Sequence, residues 1–135
     1  MPILVDSNVL LDVITRDPKW FDWSSGQLRE WGDRDLLFIN PLIFAEVSIS
    51  YDTLEVLNQA MDRANLFHDE LPWEAAFLAG HCFVEYKKRG GKRRSPLPDF
   101  YIGAHASIRD YLLLTRDAGR YRTYFPRLRL IAPGN

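Results

Sequence analysis

Four short apolar runs, PILV at residues 2–5, LLFI at 36–39, YLLL at 111–114 and LRLI at 128–131, are spaced along a chain that otherwise reads as helical. The first three are apolar throughout, as strands buried on both faces are. Strands of that kind pair in parallel, and parallel strands cannot be joined by a tight turn; helices between them supply the crossovers. The pattern predicts an α/β fold, a central parallel β-sheet of about four to five strands flanked by helices. With 135 residues and no internal repeat or low-complexity linker, the chain is expected to form a single domain over 1–135 with its own core.

Local signals place the helices. SNVLLDVIT follows the first strand, with Ser7 or Asn8 as the N-cap candidate, and residues 20–31 form a loosely patterned second helix. Pro41 suits the first turn of a helix over 41–51. Residues 53–64 are amphipathic, with Leu54, Leu57, Ala60, Met61 and Ala64 on one stripe. A long helix over 72–88 stops at Gly90 and Gly91. Another opens at Asp99 and ends near Asp110, and residues 116–126 read as a turn-rich connection.

The formal net charge is −1, so bulk charge favours no partner and only a local patch could mark nucleic acid. A lone cysteine, Cys82, cannot form an internal disulfide, which fits a reduced, cytoplasmic setting. The N-terminus lacks the basic start of a signal peptide, and Asp6 and Asp12 interrupt its apolar run. No window approaches the ~18 apolar residues of a membrane span.

In open α/β sheets the functional crevice lies outside the carboxyl ends of the strands. Asp6 closes the first strand and Asp117 follows LLLT, while Asp99 heads a helix that would open at the same edge. Glu46 sits among Leu42, Ile43 and Ile49 at helical spacing, on an apolar stripe where an unpartnered carboxylate is costly. Each acid has a plain structural role available: a cap for Asp6, a helix-dipole partner for Asp99, an Asx-turn for Asp117, an arginine partner for Glu46. Four acids converging on one edge are another matter. Two carboxylates ~5 Å apart repel by roughly 3 kcal/mol at an effective dielectric of about 20, so the cluster calls for cations or raised pKa values.

The three histidines, His68, His81 and His105, lack zinc-type spacing. An all-oxygen cluster suits Mg²⁺ or Mn²⁺, one ion or two, which keep water and also hold phosphates. Metal-dependent phosphodiester hydrolysis is the sharpest chemistry these residues support.

The segments ILVDSNVLLDVI, FAEVSI, PLPDFYIGAHA and LLLTRDAGRYRTYFPRLRLIAP together resemble the PIN domain, and more closely its VapC toxin branch, the ribonuclease half of VapBC toxin–antitoxin pairs. The resemblance spans nearly the whole chain and implies a PIN-like fold. It maps the acidic site onto Asp6, Glu46, Asp99 and Asp117 as catalytic and metal-holding residues, with Asn8 and Thr115 in support. It further implies cleavage of tRNA or rRNA, neutralisation by a small VapB-type antitoxin whose C-terminal segment enters the cleft, and a homodimer. Residues 16–35 are its least motif-like part. A PIN nuclease of RNA maturation, or an inactive PIN module that binds RNA or a partner, would share these segments.

KKRGGKRR, residues 87–94, carries six positive charges in eight residues. Its GGK is no phosphate-binding P-loop, because the glycine spacing differs, Arg93 follows Lys92 and a helix precedes it. A solvated loop is one reading. Beside an acidic site that repels RNA, Lys92, Arg93 and Arg94 are expected to guide phosphates, with Arg116 and then Arg120 and Arg122 extending the patch. Trp20, Trp23 and Trp31 are expected to pack rather than bind. A phosphoacceptor receiver domain is disfavoured, since LLFIN ends in Asn40 and the last strand has no lysine. A haloacid-dehalogenase-type phosphatase is disfavoured because Asn8 stands where its second aspartate would.

Overall fold

The computed structural model describes residues 1–134. Five strands, β1 (Ile3–Val5), β2 (Leu37–Ile39), β3 (Leu66–His68), β4 (Leu112–Leu114) and β5 (Leu130–Ile131), form one sheet in the order β3-β2-β1-β4-β5. Every pairing is parallel. The chain steps outward from β1 to β3, then returns to lay β4 beside β1 and steps out again to β5. That reversal makes the gap between β1 and β4 the topological switch point, where the crevice of such a sheet opens. Val5 pairs with Leu114, and the Asp6 amide donates to the Leu114 carbonyl at 2.9 Å. Asp6 and Thr115 therefore leave the sheet side by side.

Among the described residues seven helices connect the strands: α1 (Ser7–Ile14), α2 (Phe21–Gly32), α3 (Pro41–Ser48), α4 (Leu54–Arg63), α5 (Trp73–Lys88), α6 (Pro98–Arg109) and α7 (Gly119–Tyr124). Ile3, Leu4 and Val5 are fully buried beneath them, as are Leu113 and Leu114. Burial of each such side chain contributes about 1.5–3 kcal/mol, which is how strands of three residues hold a sheet together. The α/β architecture with a central parallel sheet expected from the apolar runs is the one observed, and it agrees with the fold that the resemblance implies. Among the described residues no helix is long and apolar enough to cross a membrane.

Two elements escape the sequence patterning. β3 is an edge strand with only Leu66 buried, so it shows neither alternation nor a continuous apolar run. Residues 116–126 contain the helix α7, and its single turn and a half buries Tyr121 and directs it inward.

Local chemistry sets the helix ends that matter for the site. Asp6, rather than Ser7 or Asn8, is the N-cap of α1: its backbone is extended (φ −67°, ψ 149°) and its Oδ1 accepts from the Ser7 amide at 2.8 Å. The helix starts one residue earlier than its patterning suggests because the strand ends directly at the cap. Asn40 caps α3 through Oδ1, accepting from the Ile43 amide at 2.9 Å, with Pro41 in the first turn. Pro98 opens α6 one residue ahead of Asp99, and α6 packs along α5. Gly90, at φ +89°, turns the chain out of α5 as only glycine does readily, and the Gly91 amide returns to the Tyr86 carbonyl at 3.0 Å. Gly103 lets α6 approach the ring of Phe125, where a Cβ would lie 2.4 Å from ring carbon.

Candidate active site

Two strand–helix junctions, one helix head and the last turn of α3 bring the acids to the carboxyl edge of the sheet. Asp6 follows β1, Glu46 lies on α3 after β2, Asp117 follows β4, and Asp99 heads α6. Asp6 is buried at 3% exposure, Glu46 and Asp99 are half-buried, and Asp117 is exposed. The apolar stripe around Glu46 is only partly realised: Ile43 is fully buried, but Ile49, at the end of α3, is 84% exposed. Glu46 therefore stands at the margin of the core, facing the crevice. Among the described residues no arginine pairs with it; Ser7 Oγ donates to its Oε1 at 2.9 Å.

Asp6 is the hub. Thr115 Oγ1 and the Tyr121 hydroxyl donate to its Oδ2 at 2.9 and 2.8 Å, and Asn8 Nδ2 approaches the same atom at 3.4 Å. Asn8 is itself held between Thr115 Oγ1 and the Arg116 amide. The polar residues Asn8 and Thr115 thus fix Asp6. The Tyr121 oxygen also lies 3.5 Å from Asp99 Oδ1, so one phenol bridges two acids. Nothing in the sequence marks Tyr121 as polar machinery; its i, i+4 spacing with Phe125 signals a buried helical turn and no more.

Electrostatics follow from this crowding. Burial pushes the Asp6 carboxyl up to about 6, against the Tyr121 and Thr115 hydrogen bonds, and the charges of Asp99 and Glu46 add to the rise. Burial also raises Glu46, and so does Asp99. Asp99 is raised by burial, opposed by Arg120 and reinforced by Asp117. Tyr121 is held well above its ordinary range by burial and the surrounding carboxylates, so its hydroxyl stays a donor. Among the described residues Asp99 alone of the four acids has a basic partner, Arg120 at 3.5 Å. The set is negative, under-compensated and made of hard oxygen donors, which is what a hard divalent cation requires. Among the described residues no three carboxylate, imidazole or thiolate side chains close into a ready-made cage, so a cation held by these acids would draw part of its shell from water.

An open cleft of about 390 Å³ lies against Asp99 and Asp117, lined also by Tyr86, Arg120, Thr123 and Tyr124. The basic segment borders it. The Arg89 guanidinium sits over the Tyr124 ring at 5.4 Å, and the Arg93 amide lies 3.5 Å from the Tyr86 hydroxyl. Lys92, Arg93 and Arg94 are exposed beside the cleft. Arg116 is placed differently. Its Nε and Nη2 donate to Asp12 Oδ2 and Oδ1 at 2.8 and 3.0 Å, a fork on a carboxylate only 2% exposed that also accepts from Ser24 Oγ at 2.7 Å. That commitment competes with the phosphate contact expected of Arg116. The tryptophans pack: Trp23 and Trp31 lie against the core, and Trp20 meets Trp23 edge to face at 6.2 Å.

A five-stranded parallel sheet with clustered carboxylates at its switch point places the chain in one class of α/β domains. Within that class the chain has the fold of VapBC structures. It matches a chain of VapBC2 from Rickettsia felis, bound to a DNA fragment from its promoter, with a TM-score of 0.74 at 18% identity over 99% of this chain and 100% of that one. A DNA-bound VapBC from Salmonella typhimurium matches at 0.71 and 18% identity over 98% of each chain, and a toxin–antitoxin complex from Klebsiella pneumoniae at 0.67 and 17% over 98% of each. No family model and no curated protein matches the sequence.

Proposed function

We propose that the protein is a metal-dependent endoribonuclease of the VapC toxin kind, neutralised by a small VapB-type antitoxin. The observation that carries this is the acidic hub: Asp6, buried and raised to about 6, shares one phenol with Asp99 and repels Glu46 and Asp99 across the switch point. Asp6, Glu46, Asp99 and Asp117 would hold one or two Mg²⁺ or Mn²⁺ ions, whose chemistry is to polarise the phosphodiester and supply an activated water. Asn8, Thr115 and Tyr121 keep the Asp6 carboxylate in one orientation. Ser7 does the same for Glu46. Lys92, Arg93 and Arg94 hold the RNA backbone, and Arg120 offsets charge at Asp99. The VapBC complexes that share the fold support an antitoxin as partner. A stripe on α5, with Trp73 at 87%, Phe77 at 71% and Val84 at 50% exposure, supports a homodimer that covers it.

Purified protein is expected to cleave RNA with Mg²⁺ or Mn²⁺ and to stop in EDTA. Full activity in EDTA would overturn the metal mechanism. Replacing Arg93 and Arg94 by alanine is expected to weaken RNA binding and to lower the slope of log affinity against log salt by roughly one per lost phosphate contact. An unchanged slope would make the segment a solvated loop.

A further inference from the structure

One strand away from the acids lies a second cavity, of about 290 Å³, that the proposed chemistry leaves unused. It is lined by Ile39, Pro41, Phe44, His68, Asp69 and Glu70, with Asn40 between them. Ile39 and His68 are register partners at the ends of β2 and β3, so the cavity opens at the same carboxyl edge as Asp6. It also shares α3 with Glu46, two residues beyond Phe44. Phe44 and Glu46 point to different faces of α3, so an RNA strand would reach this opening by running along the carboxyl edge from the acids toward β3.

The lining narrows the ligand. Phe44 and His68 meet edge to face, ring centroids 5.5 Å apart, and offer an apolar, aromatic surface. The polar groups are mostly spoken for. Asn40 accepts from the Ile43 amide and donates to His105 Nδ1 at 3.0 Å, so it forms a wall rather than a reading group. Asp69 Oδ2 accepts from His105 Nε2 at 2.9 Å and from the Tyr111 hydroxyl at 2.8 Å, with Arg109 at 3.6 Å. Asp69 is therefore charge-compensated where it stands, so of the two lining carboxylates only Glu70 would draw a cationic guest such as an arginine side chain. What the cavity still presents is an aromatic surface and carboxylate acceptors, Asp69 Oδ1 and the exposed Glu70. A flat, neutral ligand rich in adjacent N–H donors fits both. Among nucleobases guanine has that edge, N1–H beside its exocyclic amine, and unpaired bases are recognised by stacking plus such edge contacts.

We propose that this cavity is a base subsite for an unpaired guanine flanking the scissile phosphate, stacked on Phe44 or His68 and read by Glu70 and Asp69. The proposal rests on the nuclease reading above. It is tested on the full chain in EDTA with 5′-GMP, 5′-IMP and 5′-AMP, which share a phosphate and differ in the base edge. Titration by calorimetry or NMR is expected to show GMP bound about tenfold or more tightly than IMP, which lacks the amine. Phe44→Ala is expected to cost about tenfold in GMP affinity. Glu70→Gln, at an exposed position, is expected to erase the preference over IMP. With Mn²⁺, cleavage sites on a random-sequence RNA should cluster beside unpaired guanine in the parent and lose that bias in Glu70→Gln. Equal affinity for the three nucleotides, or GMP binding indifferent to both substitutions, would overturn the subsite. So would tighter binding of N-acetylarginine amide than of GMP, which would assign the cavity to a basic protein partner. Guanine selectivity without any RNA cleavage would instead overturn the nuclease reading and leave the cavity a guanine site.

Discussion

Asp6→Asn is expected to abolish RNA cleavage and, in the metal-free protein, to raise thermal stability. The two effects share one cause. Burial lifts the Asp6 carboxyl from 3.8 to about 6, and Asp99 and Glu46 push in the same direction. The folded protein binds that proton more tightly than the unfolded chain, so this contribution to stability is complete below pH 3.8 and is lost as pH rises through about 6. At 1.36 kcal/mol per unit, holding Asp6 ionised above that range costs the metal-free fold about 3 kcal/mol. Asparagine removes the charge and still caps α1 through Oδ1. Its Nδ2 replaces the acceptor of Thr115 and Tyr121, so those hydroxyls must turn, which offsets part of the gain. A gain of several degrees in Tm is expected at pH 8 and little at pH 4. Cleavage should fall by about 100-fold or more, beyond the 10–100-fold typical of losing a residue that only orients a ligand. Mn²⁺ should raise the Tm of the parent but not of the variant. Unchanged or lower stability at pH 8 in the absence of metal would mean that the Asp6 charge is not a burden on the fold.

Much of this site was legible in the residues, for identifiable reasons. Strands buried on both faces need continuous apolar runs, so β1, β2 and β4 show in the sequence, and the residues that end them follow. The positions of Asp6 and Asp117 at the sheet edge are legible that way, and that of Asp99 through the prolines before its helix. The edge strand β3 was invisible because one buried residue in three makes no pattern. Tyr121 is illegible for a different reason: a phenol between Arg120 and Arg122 in a turn-rich stretch carries no signal of its own, and only the fold brings its oxygen between Asp6 and Asp99. His105 is a core residue, fully buried and lowered by burial, and its bonds to Asn40 and Asp69 tie three elements together across long sequence separations. Such links carry no local signature. Arg116 shows the converse problem. Its neighbours in the chain are basic and acidic residues of the cleft, so sequence proximity suggests a phosphate contact, while its actual partner lies 104 positions away in Asp12.

That pair carries the second large effect. Arg116→Ala is expected to destabilise the fold by about 3–5 kcal/mol, the cost of stranding a buried charge. Asp12 is 2% exposed and receives both arms of the guanidinium; without them only Ser24 remains. For a chain of this length the loss corresponds to a fall in Tm of roughly 10–20 °C. Arg116→Lys should recover only part of it, since an ammonium cannot reproduce the two-armed contact. Pairing Arg116→Met with Asp12→Asn should recover more than either single change predicts, because the buried charge disappears with its partner. Calorimetric melts of the three variants decide the structural assignment, and RNA titrations across salt decide the functional one. If Arg116 holds Asp12 rather than RNA, its substitution lowers Tm and leaves the salt slope unchanged in conditions where the variant is folded. A slope reduced by about one with the melting temperature intact would make Arg116 a phosphate contact and Asp12 a bystander.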